Sequence, residues 1–171
     1  YVNEESELSP ISLYAETKVA SENYLLSQNK KNTCKPTCLR FSTAYGISPR
    51  MRFDLTVNEF TKELALGREL VVYGEQFWRP YCHVVDLARS IIHVIEADIS
   101  KVAFNVFNVG DTEENYQKQM IVNEILKQIP DSKIFNIPPI VFLALTVKFS
   151  EKIKKELAFE ITKTVPDGIK Q

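Results

Sequence analysis

Tyr14 and Lys18 stand four residues apart in a stretch that reads as helix, so both side chains fall on one face. A free phenol gives up its proton near pH ~10. A lysine ammonium one turn away favours the phenolate and brings that value down. A tyrosine tuned in this way can take a proton from a sugar hydroxyl and return it near neutral pH. The lysine keeps donors to spare for a ribose diol. With seven tyrosines in the chain, roughly 0.6 such pairs arise by chance. An exposed helix that merely carries a Tyr and a Lys therefore stands beside the catalytic reading.

Basic residues supply a second kind of chemistry. Arg79 follows Trp78 and sits just before a short extended piece, and Arg50 and Arg52 lie in a loop near Pro49. Guanidinium forks match phosphate oxygens, and a nucleotide diphosphate sugar carries two negative charges. Solvated surface is the competing reading for each lone arginine.

These groups need elements to hold them. Ser12 can cap a helix over Leu13–Gln28, rich in Ala, Glu, Lys and Leu. Thr37–Phe41 reads as a strand leading into a loop with Gly46 and Pro49. Leu55–Leu66 reads as a helix, Glu69–Tyr73 as a strand and Pro80–Val84 as a brief extended piece. Asp86 can cap a helix through Ala97, with His83 a packed strand residue before it. Phe104–Val109 reads as a strand, and Gln117–Gln128 and Glu151–Leu157 as helices. Alternating strands and helices define an α/β fold, here an incomplete Rossmann-type, doubly wound sheet too small to close by itself.

Net charge is −1, so no global field draws nucleic acid or anionic lipid. The longest apolar run, Ile140–Leu145, falls far short of the roughly 20 residues of a membrane span. Cys34, Cys38 and Cys82 are an odd set for a disulfide framework, and their spacing is wrong for a zinc knuckle. Three buried or half-buried thiols in a reducing cytoplasm, with no metal, is the expectation.

The segment SPISLYAETKVASE, Ser9–Glu22, resembles the active-site helix of extended short-chain dehydrogenases/reductases, with Pro10, Tyr14, Lys18 and Glu22 in register. LRFSTAYG (Leu39–Gly46), SPRMRFDLTVN (Ser48–Asn58), WRPYCHVVDLA (Trp78–Ala88) and FNVG (Phe107–Gly110) resemble the segments that follow in the NAD-dependent nucleotide-sugar epimerases and dehydratases of that type. The resemblance implies that Tyr14 moves the proton while NAD, or NADP, takes the hydride, giving a transient keto-sugar. It implies that Tyr14, Lys18 and Phe41 meet the cofactor, and that Asn58, Arg52 and Arg79 meet the nucleotide sugar. It implies a homodimer through the Tyr14 helix. Residues 1–47 would end the NAD-binding domain, and residues 48–171 would form mainly the nucleotide-sugar subdomain, with Rossmann elements returning at about 80–110.

The sequence also departs from that pattern. No glycine pair has the spacing of a phosphate-cradling turn. The family's catalytic Ser or Thr, some two dozen residues before the Tyr, has no counterpart in the thirteen residues before Tyr14. Thr43 stands where many relatives have Asn, and Ala158 where a Gly is usual. Ile137–Phe149 is apolar and lacks the substrate-binding arginine expected there. The expectation is a C-terminal part of such an enzyme, inactive alone. A non-catalytic interaction or dimerisation module of the same descent is the alternative, and a plain oxidoreductase without a sugar substrate ranks third.

Overall fold

A computed structural model describes residues 2–28, 33–72, 77–131, 134–136 and 151–171. The elements run α1 (Leu13–Leu26), β1 (Thr37–Phe41), β2 (Thr43–Tyr45), α2 (Thr56–Ala65), β3 (Leu70–Val72), β4 (Trp78–His83) and α3 (Val84–Glu96). They continue with α4 (Ile99–Val102), β5 (Asn105–Val109), a 3-10 turn (Thr112–Glu114), β6 (Asn115–Gln117), α5 (Lys118–Leu126), β7 (Ile134–Asn136), α6 (Glu151–Leu157) and α7 (Val165–Lys170).

Parallel pairing dominates. β1 runs beside β5, Thr37 opposite Asn105 through Phe41 opposite Val109. The ladder breaks at Ser42, whose N–H still donates to the Val109 carbonyl at 3.1 Å. The chain resumes as β2, parallel to β4, which pairs antiparallel with β6 on its other side. β3 pairs in parallel with β7. Parallel partners need crossovers, and helices supply them, which is the α/β, Rossmann-type architecture that the alternation predicts. Its strands form small sheets of two, three and two strands among the described residues.

Two apolar cores form. One gathers Val57, Phe60 and Leu64 of α2, Ile121, Val122 and Ile125 of α5, and Val165 and Ile169 around Tyr45 and Tyr81. The other gathers Cys82, Leu87, Phe107, Val109, Ile153 and Phe159. Helix α1 contributes to neither, since none of its residues is buried.

The third helix corrects one expectation. It starts at Val84, and His83 is its cap: the ring Nδ1 accepts from the Val85 N–H at 3.2 Å. Asp86 lies one turn in and is fully buried. Its carboxylate accepts from the Thr162 N–H and hydroxyl (2.9 and 2.8 Å), the Lys163 N–H (3.0 Å) and Arg89 (2.6 Å). Local spacing made Asp86 look like a cap; a partner 76 residues away claims it instead. His83 is indeed packed, with Nδ1 accepting and Nε2 3.1 Å from Gln171 Oε1. That pattern fits the neutral ring with its proton on Nε2.

Cys34 is a second correction: it is exposed, while Cys38 is half-buried and Cys82 buried. The Ile137–Phe149 run and Tyr73 lie outside the described residues. No helix among the described residues is long and apolar enough to cross a membrane, and no cluster of His, Cys, Asp or Glu among them could hold a metal ion.

Candidate functional site

Helix α1 begins as its sequence dictates. The Ser12 hydroxyl accepts from the Ala15 N–H at 3.2 Å, closing the first turn. Tyr14 and Lys18 then share a face, with the ammonium 5.3 Å from the centre of the phenol ring. Tyr14 is 72% exposed. One turn further, Glu22 meets Arg40 of β1. A groove of about 500 Å³ opens between helix and strand, lined by Tyr14, Lys18, Glu22, Cys38, Arg40 and Phe41 among others. Burial, then the charge of Glu22, pushes the Cys38 thiol up. Tyr14, Lys18 and Phe41, predicted to meet the cofactor, therefore come together in one groove.

The predicted substrate residues gather less completely. Arg50, Arg52 and Asn58 line one pocket of about 160 Å³ with Gly46 and Ser48. Arg52 forms an exposed ion pair with Asp54. That partner holds the guanidinium above its usual range and the Asp54 carboxyl below its own. Asn58 is only 6% exposed. Its Oδ1 accepts from the Gly46 N–H at 2.9 Å and its Nδ2 donates to the Arg52 carbonyl at 3.0 Å. One acceptor and one donor of the amide are thus engaged inside the protein. Arg79 is exposed on β4 and lines neither the groove nor this pocket.

The floor beneath the pocket is tightly built. Gly46 has φ +106°, and a side chain there would strike the His83 ring, 2.2 Å from Nε2. Tyr45 meets His83 edge-on with ring centres 5.3 Å apart, and its hydroxyl donates to the Lys163 carbonyl at 3.1 Å. Burial, then the charge of Glu114, pushes the Tyr45 phenol far up. Burial, then the charge of Asp86, pushes the Cys82 thiol up to about 12. Both are structural groups.

Sequence reasoning missed the pairing of Glu22 with Arg40, which needs the fold to bring helix and strand together. Glu114 gave no local signal, yet its buried carboxylate accepts from the Val165 N–H at 2.7 Å.

A helix bearing Tyr and Lys one turn apart, packed on a parallel strand with a basic loop beyond, defines a class, and comparison with known proteins names it. The chain belongs to the NAD-dependent epimerase/dehydratase family, whose model matches residues 2–110. It is 32% identical over 104 residues to an uncharacterized protein of Methanocaldococcus jannaschii, a match covering 60% of this chain and 30% of that protein. Its fold superposes on the UDP-glucose 4-epimerase of Thermotoga maritima, solved with UDP-glucose, at TM-score 0.82 and 24% identity, covering 99% of this chain and 54% of the other. The UDP-glucuronic acid 4-epimerase of Bacillus cereus, solved with UDP-glucuronic acid and NAD, superposes at TM-score 0.80 and 21% identity, again covering 99% and 54%. The chain thus spans about half the length of these enzymes.

Proposed function

We propose that this chain forms the substrate side of an NAD-dependent nucleotide-sugar epimerase or dehydratase, with Tyr14 as its acid/base. The observation that carries the reading is that Tyr14, Lys18 and Phe41 line one groove, within a segment that matches the family.

The groove fits the nicotinamide-ribose end of NAD (or NADP): Lys18 brings an ammonium donor, and Phe41, 46% exposed, an apolar ring face. None of the five glycines makes a pyrophosphate cradle by spacing. The dinucleotide half is therefore proposed to come from outside these 171 residues, which alone would be inactive. When bound, the cofactor supplies the hydride acceptor. Tyr14 Oη takes the proton of the sugar hydroxyl and later gives it back. Lys18 holds the ribose diol and keeps a positive charge one turn from the phenol. Arg52 and Arg50 face a diphosphate from the loop after β2; Arg79 is assigned to it by its place in WRPYCHVVDLA. Residues 1–47 then complete the cofactor domain and residues 48–171 mainly bind the nucleotide sugar.

The test is an assay with NAD and UDP-glucose or UDP-glucuronate, run on the 171-residue chain and on a longer protein joining it to a dinucleotide-binding half. Turnover only by the longer protein is expected. Turnover by the chain alone overturns the division between halves. Failure of UDP-, dTDP- and GDP-sugars to bind the longer protein overturns the nucleotide-sugar reading.

Exposed Ile11, Leu13 and Tyr24, at 97%, 75% and 67%, favour a second reading. In it the chain is a non-catalytic module that pairs with a copy of itself through α1. Native mass separates the two: a 19.6 kDa polypeptide sedimenting as a dimer supports the module, and a much heavier polypeptide removes it.

A further inference from the structure

The loop from Gly46 to Arg52 has both ends tied to a single buried amide. Asn58, in the first turn of α2, accepts from the Gly46 N–H and donates to the Arg52 carbonyl. The partners fix the orientation of the amide, since a backbone N–H can only donate and a carbonyl only accept. Gly46 lies close against His83, since a Cβ there would stand 2.2 Å from the ring Nε2. Arg50 and Arg52 project from this loop into the pocket that Asn58 also lines. Joining the two ends removes much of the loop's conformational freedom before any ligand arrives.

We propose that Asn58 is a positioning residue: it clamps the 46–52 loop so that Arg50 and Arg52 are preset as a two-arginine grip for the diphosphate of a nucleotide. This rests on the nucleotide-sugar reading above. It gives Asn58 a different part from the direct substrate contact predicted from sequence. The amide spends one acceptor on Gly46 and one donor on Arg52, so it holds both ends of the loop whatever its second N–H meets. Asp54 pairs with one edge of the Arg52 guanidinium, through Nε and Nη2, and leaves Nη1 for a phosphate oxygen.

UDP is the probe. Calorimetry gives its affinity and amide hydrogen exchange reports the clamp. In Asn58→Ala, exchange at Gly46 is expected to quicken and UDP to bind about tenfold more weakly. Asn58→Leu, neutral and of similar size, removes both bonds without adding a charge to the pocket; it should likewise quicken exchange at Gly46 and weaken UDP, and it serves if the alanine variant fails to fold. Arg50→Ala supplies a readout that mere destabilisation would not move. Its effect on UDP affinity should be smaller in the Asn58→Ala background than in the wild type, because an unclamped loop no longer presents Arg50. Unchanged exchange at Gly46 overturns the clamp. Unchanged UDP affinity, or simple addition of the two mutations, overturns the presetting of the arginines. If the wild type ignores UDP at millimolar concentration, the nucleotide reading and the grip fall together, and faster exchange in Asn58→Ala would still uphold the clamp.

Discussion

Glu22 and Arg40 meet as a fork: the arginine Nε and Nη2 lie 2.9 and 2.6 Å from the two oxygens of one carboxylate. Arg40 also donates to the Glu4 carbonyl at 3.3 Å, and the Glu4 carboxylate accepts from the Asn108 N–H at 2.9 Å. Helix α1 buries no side chain, so this chain of polar contacts carries much of its attachment to β1. Glu22→Gln or Arg40→Ala is expected to loosen α1 by about 1–2 kcal/mol, a modest figure because both side chains keep some solvent. Hydrogen exchange in α1, compared with that in α5, checks it: α1 should open selectively.

Tyr14→Phe is expected to leave the fold within about 0.5 kcal/mol, because the hydroxyl sits on a largely exposed side chain. On the function proposed above, the same change in the longer protein should lower kcat by about 10²–10⁴-fold with little effect on KM. Lys18→Met should lower kcat and also weaken cofactor binding, and the double variant should lose less than the two single losses combined. A Tyr14→Phe enzyme of wild-type kcat would remove Tyr14 from the proton transfer.

The two buried carboxylates respond to pH with opposite sign. For Asp86, burial pushes the carboxyl up, but donors from Thr162, Arg89 and Lys163 outweigh it and hold the group below its usual range. Its stabilisation is complete above the unfolded value near ~3.9 and is lost as pH falls through the folded one. Asp86→Asn is expected to cost about 2–4 kcal/mol at pH 7 and to flatten the acid limb of the stability curve.

Glu114 is raised, chiefly by burial and against the bond from the Val165 N–H. Its contribution is complete below the unfolded carboxylate value and is lost as pH rises through the folded one. Glu114→Gln keeps an acceptor for Val165 without the charge. It is expected to hold or raise stability at pH 7, whereas Glu114→Ala should lower it by about 1–3 kcal/mol. Denaturant melts from pH 3 to 8 would distinguish all three variants.

Gly168 gives a test of packing alone. A Cβ there would sit 2.4 Å from Tyr45 Cε2. Although alanine favours helix, Gly168→Ala should destabilise by about 1–3 kcal/mol through overpacking, read from a urea midpoint shift.

What local chemistry decides was legible in the sequence. Ser12 announced α1, β-branched and aromatic runs announced β1 and β5, and the charged stretch Glu151–Leu157 announced α6. The Tyr14–Lys18 face follows from helical spacing, and the structure keeps it. What a distant partner decides was not legible. His83 displaced Asp86 as cap because Thr162 and Lys163 claim that carboxylate. β6 and α7 were missed because each is short and is held by what it meets: β6 by β4, and α7 by Glu114 as well as by its own Thr164–Asp167 capping box. The place of Asn58 in SPRMRFDLTVN puts it beside the substrate by resemblance; only coordinates add the bonds from its amide to both ends of the loop.

The segment from α6 onward threads both cores in turn. Ile153 and Phe159 belong to one, Val165 and Ile169 to the other, and Thr162–Lys163 between them is fastened to Asp86. A protease nick anywhere from Phe159 to Val165 would therefore unseat side chains on both sides of the stitch. The expected result is collapse of the whole chain in one transition, with no trimmed, still-folded product.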